Sequence, residues 1–371
     1  MENMVKTALF NGVYEGKKVL ITGHTGFKGS WLAYWLQQLG ADVTGLALKP
    51  ATNPNHYELL NLNCKNIYAD IRDKNALKNA IQSAKPEIIL HLAAQALVRD
   101  SYADPVGTYE TNVIGTMNLL ETARNCPSIR AIVVVTSDKC YENREWLWGY
   151  RENEALGGKD PYSSSKACAE LVTAAYRHSF FNTAKYGKEH NVLIASVRAG
   201  NVIGGGDWAS DRIVPDMVKS AAKNEKLLIR NPQATRPWQH VLEPLSGYLL
   251  VGQHLLEGNV SAAEAWNFGP NVENNIPVLD LVKESQKYWD SIDFTLDSAK
   301  DSPHEATFLM LDSAKATKLL HWRPIWDFKE TVETSINWYR NYYEKNAIST
   351  ESDLDSYISK ARSINAIWTK S

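Results

Sequence analysis

Val19-Leu20-Ile21-Thr22-Gly23-His24-Thr25-Gly26-Phe27-Lys28-Gly29-Ser30 sets a short β-prone run directly before three glycines spaced G-x-x-G-x-x-G and the start of a helical stretch. That context predicts the first strand, phosphate-binding turn and first helix of a dinucleotide-binding α/β fold. Glycine lets backbone amides come close to a pyrophosphate, and the helix N-terminus behind the turn offers the positive end of its dipole. A tight turn with incidental glycines is the plainer reading. The agreement of strand, helix and first place in a longer series argues against it.

That series runs outward from the glycines. Apolar β-runs at Val43–Leu48, Ile67–Ala69, Ile88–Leu92, Ala131–Thr136 and Val192–Val197 alternate with helical stretches at Ser30–Leu39, Lys74–Ala84, Gly107–Arg124 and Ser163–Phe181. Six strands in βαβ order predict a doubly wound parallel sheet of the Rossmann type. After Arg198 the rhythm breaks into Gly-, Pro- and Asp-rich loops, which marks a second, smaller C-terminal region, and Asn259–Asn275 reads as a connection between the two. Trp31 and Trp35, one helical turn apart beside Leu32, Leu36 and Leu39, read as core.

Forty Lys and Arg against forty-two Asp and Glu give the 371 residues a formal net charge of −2. No basic field for nucleic acid or anionic lipid is expected. No stretch approaches the roughly 20 apolar residues of a membrane span, and residues 1–16 lack a signal-peptide core. Cys64, Cys126, Cys140 and Cys168 are scattered, without a C-x-x-C, which suits a reducing, cytoplasmic compartment. The nine histidines form no H-E-x-x-H, so no metal is expected.

The second strand ends Gly45-Leu46-Ala47-Leu48-Lys49, without the acid that usually holds an adenosine ribose in an NAD site. Lys49 suits a 2′-phosphate but has no arginine beside it, so NAD is preferred to NADP. Asp70 has two readings: an acceptor for the adenine amino group, or the cap of the helix beginning near Lys74.

Pro161-Tyr162-Ser163-Ser164-Ser165-Lys166 opens a helix with Tyr162 and Lys166 on one face. An ammonium so placed stabilises a phenolate and is expected to lower the tyrosine pKa toward neutrality. The preceding strand delivers Ser137, Asp138 and Lys139 at its C-terminal end, where open α/β sheets do their chemistry. The plainer reading of Asp138 and Lys139 is a surface turn with a weak ion pair. Cys140 reads as packing, although its position between Lys139 and Tyr141 makes it sensitive to alkylation.

With these residues the chain resembles the extended short-chain dehydrogenase/reductases, and within them the nucleotide-sugar 4,6-dehydratases. The resemblance rests on Gly23/Gly26/Gly29, Leu92-Ala93-Ala94-Gln95, Asn112 in Tyr109-Glu110-Thr111-Asn112, Tyr162/Lys166 and Arg198-Ala199-Gly200-Asn201-Val202. Gly23-His24-Thr25-Gly26-Phe27-Lys28-Gly29 and Thr136-Ser137-Asp138-Lys139-Cys140-Tyr141 look most like the branch acting on CDP-glucose. The resemblance implies NAD held by Gly23, His24, Gly26, Phe27, Lys28, Gly29, Asp70, Ile71, Leu92, Ala93, Ala94, Asn112, Tyr162 and Lys166. It implies a nucleotide sugar, CDP-glucose, held by Gln95, Asn201, Arg212, Arg236, His304 and Glu305. Residues 1–199, with a return around 237–270, are the expected dinucleotide-binding domain. Residues 200–371, mainly 200–236 and 271–371, are the expected sugar-nucleotide domain.

The implied reaction is an intramolecular redox cycle. Tyr162 takes the proton of the sugar 4-hydroxyl as C4 is oxidised, a base removes the C5 proton, Asp138 protonates the departing 6-hydroxyl, and C6 is reduced. The family's usual triplet is Thr-Asp-Glu with Glu as base; here Ser137, Asp138 and Lys139 stand there, and Lys139 must be neutral to act. A homodimer built from the two long helices and a role in deoxysugar supply to lipopolysaccharide O-antigen are further implications. The alternatives are a 4-epimerase or simple dehydrogenase, a dehydratase for another nucleoside diphosphate sugar, and a non-catalytic dinucleotide-binding regulator. The intact Tyr162/Lys166 pair disfavours the regulator. An epimerase needs no acid and base for elimination, so Asp138 and Lys139 favour dehydration.

Overall fold

The computed structural model describes residues 6–297 and 308–370. Seven parallel strands, β1 (Lys18–Thr22), β2 (Asp42–Ala47), β3 (Lys65–Tyr68), β4 (Ile88–His91), β5 (Ala131–Val135), β6 (Leu193–Arg198) and β7 (Ala265–Asn267), lie in the order β3-β2-β1-β4-β5-β6-β7. This is the doubly wound Rossmann-type sheet. Its order reverses between β1 and β4, and the crevice at the C-terminal ends of those two strands is where such folds bind ligands.

The seventh strand corrects the reading of Asn259–Asn275 as a connection. Ala265-Trp266-Asn267 pairs in register with Ser196-Val197-Arg198. Three residues are too few to carry a period of two, so only the partner strand reveals it.

Side chains alternate through the sheet as the strand period requires. Val19, Ile21, Ile88, Leu90, Ala131 and Val133 face one apolar layer, while Leu20, Ile89, Ile132 and Val134 face the other. Burial on both faces explains the near-continuous apolar runs of the central strands.

Helix α1 (Phe27–Gln38) begins earlier than expected, because Gly26 is its N-cap and the last glycine already lies inside the first turn. Trp31 and Trp35 are wholly buried on it, and truncating either should cost about 3–5 kcal/mol. Helix α2 (Lys74–Ala84) is capped by Asp73, whose Oδ1 accepts from Asn75 N at 2.9 Å and Ala76 N at 3.0 Å. The capping role weighed for Asp70 therefore belongs to its neighbour.

The helix expected over Gly107–Arg124 is composite. It starts at Pro105, where Asp104 caps Gly107 N, and runs as α3 (Pro105–Tyr109), a π turn (Glu110–Ile114) and α4 (Gly115–Arg124). Gly115 lacks the Cβ that would lie 2.6 Å from Ile71 Cδ1, so the helix seats closely on the end of β3. Helix α5 (Pro161–Ser179) has proline at its first position and Asp160 as cap, its Oδ1 accepting from Ser163 N at 2.9 Å.

Helices α6 (Ile213–Ala222), α7 (Leu242–Leu256), α8 (Phe328–Lys345) and α9 (Thr350–Ser363) complete the chain's main framework. Phe10 stacks on Trp368 with centroids 5.3 Å apart, and Trp35 and Tyr357 pack around that pair.

Candidate active site

The glycine turn is built for close approach. Gly23 has φ +78°, and a Cβ there would lie 2.7 Å from Ala93 N; one on Gly29 would lie 2.1 Å from Gly23 O. Gly26 meets nothing closer than 3.4 Å. Leu92-Ala93-Ala94 thus runs against the turn at the switch point, with Ala93 N donating to Thr22 Oγ1 at 3.2 Å. An open backbone cradle at a helix N-terminus fits a pyrophosphate.

His24 does not present its ring to that cradle. It is wholly buried, its imidazole fills the space left by the missing Cβ of Gly45, and Nε2 lies 2.9 Å from Asn66 Oδ1. Burial lowers its pKa. The side chain anchors the turn to β2 and β3, so only its backbone faces the cradle.

At the end of β3, Asp70 is held by Arg72, whose Nη2 and Nε donate to Oδ2 at 2.7 and 3.0 Å. These bonds keep its carboxyl below the ordinary range. Ile71 is buried beneath Gly115.

Beyond β5, Ser137 caps a single 3₁₀ turn, Asp138–Cys140. Asp138 is only 3% exposed. Its Oδ1 accepts from Ser137 Oγ at 2.8 Å, and a Cβ on Gly200 would lie 1.9 Å from Oδ2. Gly200 is therefore what lets the carboxylate lie against the 198–202 loop. Lys139, half-buried, follows in the same turn, its backbone N donating to Ser137 Oγ at 3.2 Å.

Tyr162 and Lys166 are buried on α5 behind this turn. The expected depression of the tyrosine is not what the chain produces: burial pushes the phenol up to about 12, Asp138 adds to that, and a hydrogen bond from Ser137 and the charge of Arg212 pull only partly the other way. Burial likewise draws the Lys166 ammonium down to about 8. Desolvation, which spacing does not reveal, outweighs both lowering influences on Tyr162. Cys140 is wholly enclosed and burial pushes its thiol well up, so it is packing and is not exposed to alkylation.

Asn112 lies in the π turn. Its Oδ1 accepts from Gln95 N at 2.8 Å, and its Nδ2 donates to Gln95 O at 3.0 Å and Ser165 Oγ at 2.8 Å. Its amide ties the Gln95 backbone to α5. Gln95 also turns inward, with Nε2 donating to Leu97 O and Oε1 accepting from Leu97 N.

Lys28, expected among the cofactor-binding residues, is drawn down to about 8 by burial and by Arg212 and Lys166, while Asp138 opposes this. It thus lies in the field of Asp138, Lys166 and Arg212. Arg212 donates to Asp207 Oδ2 at 2.7 Å and reaches the field of Tyr162. Asn201 adopts φ +49°, with its carbonyl accepting from Gln239 N. Arg236 lies in a short strand, Thr235–Pro237, paired antiparallel with Asn275–Pro277, and donates from Nη1 to Thr235 O at 2.8 Å. His304 and Glu305 lie outside the described residues.

The structure therefore brings Lys28, Ser137, Asp138, Tyr162, Lys166 and Arg212 together, while His24, Gln95 and Asn112 act as supports. One group was missed: Glu170, a helical turn beyond Lys166, is buried with Arg198, Thr136 and Ser196. Its four-residue spacing from Lys166 was a usable signal.

Comparison with known proteins agrees with this geometry. The GDP-mannose 4,6 dehydratase family model matches residues 20–335. The CDP-glucose 4,6-dehydratase of Salmonella typhimurium is 50% identical over 351 residues, covering 93% of this chain and 97% of that one. The CDP-paratose 2-epimerase of Salmonella typhi is 26% identical, covering 86% and 98%. Among solved structures, the UDP-glucose 4-epimerase of Thermus thermophilus, a complex with NAD, superposes with a TM-score of 0.71 at 23% identity, over 87% of this chain and 98% of that one. With the family pattern running through the glycine turn, the acid at the end of β5 and the Tyr162/Lys166 helix alike, the chain belongs to the GDP-mannose 4,6 dehydratase family of extended short-chain dehydrogenase/reductases.

Proposed function

We propose that this protein is a lyase that converts CDP-D-glucose to CDP-4-keto-6-deoxy-D-glucose and water. The observation that carries the reading is identity at half of all positions, across nearly the whole of both chains, with a CDP-glucose 4,6-dehydratase. The cradle at Gly23, Gly26 and Gly29 fits the pyrophosphate of a dinucleotide. NAD, when bound there, supplies the chemistry of accepting hydride from C4 of the sugar and giving it back at C6.

The chain's own groups move the protons. Tyr162 acts as the phenolate, whose negative charge Lys166 and Arg212 offset, and becomes a neutral phenol as it receives the 4-hydroxyl proton. The 4-ketone acidifies C5–H, and Lys139 takes that proton and returns it to C5 as C6 is reduced. Asp138, aimed by Ser137 and Gly200, gives a proton to the 6-hydroxyl, which leaves as water. Arg212 and Arg236 suit the substrate diphosphate, since guanidinium forks match phosphate oxygens.

Incubation with NAD and a panel of CDP-, dTDP-, GDP- and UDP-glucose should give a 4-keto-6-deoxy product fastest from CDP-glucose. Faster turnover of another nucleotide would overturn the base assignment. In Lys139→Ala, C4 oxidation should persist, elimination should slow by roughly 10²–10⁴-fold, and solvent deuterium should no longer enter C5. Undiminished exchange would move the base to another residue.

We also infer a homodimer. Val106, Ile114, Met117, Leu171 and Phe180 on or beside α3–α5 are large apolar residues with over a third of their surface in solvent, the kind of patch that marks an interface. Leu171→Asp should convert a dimer to monomers in sedimentation velocity; a monomeric parent protein would sink the idea. Four free cysteines suit a reducing compartment, and the reading carries with it a cytoplasmic enzyme supplying deoxysugars for lipopolysaccharide O-antigen.

A further inference from the structure

Lys166 has to carry charge in a place that resists charge. Its own helix holds the counterweight. Tyr162, Lys166 and Glu170 follow at four-residue spacing on one face of α5, and Glu170 is 3% exposed. A carboxyl so enclosed would ordinarily keep its proton. Here Oε1 accepts from the Thr136 hydroxyl, and Oε2 accepts from Ser196 Oγ at 2.7 Å and Arg198 Nη2 at 2.8 Å. Against the effect of burial, Arg198 and these hydroxyls hold Glu170 below the usual carboxylate range.

Arg198 is fixed in turn. Nη1 donates to Tyr141 OH at 2.6 Å and Glu152 O at 3.2 Å, and Tyr141 OH donates to Asn267 Oδ1 at 2.8 Å. The network joins the residue before Ser137, the end of the catalytic turn, β6 and β7.

The groups facing Lys166 are Glu170 on its own helix, Cys140 in the turn after β5, His91 at the end of β4 and Lys28 on α1. His91, bonded to Thr22 and Thr116, is kept neutral by burial, with a pKa near 3. The Cys140 thiol stays protonated. Lys28 is a second cation. Glu170 is the anion in that set, and it faces Arg198, Arg177 and Cys140 on its other sides.

We propose that Glu170 is a positioning residue that keeps Lys166 charged, with Arg198 as the counter-ion that keeps Glu170 ionised and with Thr136 and Ser196 fixing its direction. The proposal rests on Tyr162 and Lys166 being the acid–base pair of the first step. A pair that merely clamps β6 to α5 is the competing role.

The test is the pH dependence of C4 oxidation, followed as transient NADH with CDP-glucose and saturating NAD. Above its alkaline limb Lys166 is neutral and the phenolate loses its support. Glu170→Gln should move that limb down by about one pH unit, and Glu170→Asp, which retains the charge, should restore it even if the rate falls. Activity lowered equally at every pH, with the limb unmoved, would leave only a clamp and overturn the proposal.

Glu170→Gln leaves Arg198 buried without its partner. Glu170→Gln/Arg198→Gln and the milder Thr136→Val are therefore measured beside it, each expected to move the limb the same way by a smaller step; limbs fixed in all of them overturn the proposal as well. Tyr162→Phe separates the two ideas. If it retains turnover, the acid–base reading falls and this role with it, whereas an inactive Tyr162→Phe beside an unmoved limb removes only the role of Glu170.

Discussion

Two glutamates, both almost wholly buried, are shifted in opposite directions. Glu170, on α5 one turn beyond Lys166, accepts from Thr136, Ser196 and Arg198 and is held low. Glu243, at the start of α7 where the C-terminal segments close over the sheet, accepts from Ile325 N, Trp326 N at 2.7 Å and Tyr357 OH at 2.9 Å, yet burial pushes it up to about 7. Both are well supplied with hydrogen bonds; the guanidinium makes the difference. Neutral donors near Glu243 recover only part of what desolvation takes, and the charge of Glu330 works against them.

The two regions should therefore answer pH with opposite slopes. A carboxyl held low contributes stability that is present above its unfolded value and is lost as pH falls through its folded value. A carboxyl held high binds a proton in the native state that the unfolded chain has already released, so stability falls as pH rises between the two values. For Glu243 that window runs from 4.5 to about 7. Asp353 on α9, with Oδ2 enclosed and unpartnered, is pushed by burial to about 8 and falls on the same side.

The largest effect should come from removing the cation that distinguishes the pair. Arg198→Met strands the Glu170 carboxylate and should cost about 3–5 kcal/mol in urea unfolding, with much of it regained when Glu170→Gln is added. A loss under about 1 kcal/mol would mean that the guanidinium does not set the charge of Glu170. Next, the native protein should lose about 3 kcal/mol from Glu243 between pH 4.5 and 7, a slope that Glu243→Gln should abolish; an unchanged slope in that variant would assign the titration elsewhere. Asp353→Asn should give the smallest change, a gain of about 1 kcal/mol at alkaline pH after allowing for its partial exposure and none below pH 4. Equal gains at both ends of the range would point to packing rather than charge.

These charge states were the part least legible in the sequence. The β1–glycine–α1 unit could be read because its turn chemistry and its periodicities agree, and Tyr162/Lys166 because a helix fixes what lies four residues on. Burial has no such signature, so spacing alone points the wrong way for the pKa of Tyr162. Long-range partners are equally silent: His24 turns inward only because Gly45 on the next strand leaves room, and Glu170 meets an arginine from another strand. Asp70 and Asp73 both precede α2, and geometry alone selects the cap. β7 is legible only beside β6.

The stack of Phe10 on Trp368 has a consequence for how the protein is made. Synthesis runs from Phe10 toward Trp368 at about 5–20 residues per second, so tens of seconds separate the appearance of the two rings. Through that interval Phe10, Trp35 and the flank of α1 form an uncovered aromatic seam, open to chaperones and to neighbouring nascent chains. Translation must reach the far side of the molecule before its first layer can close.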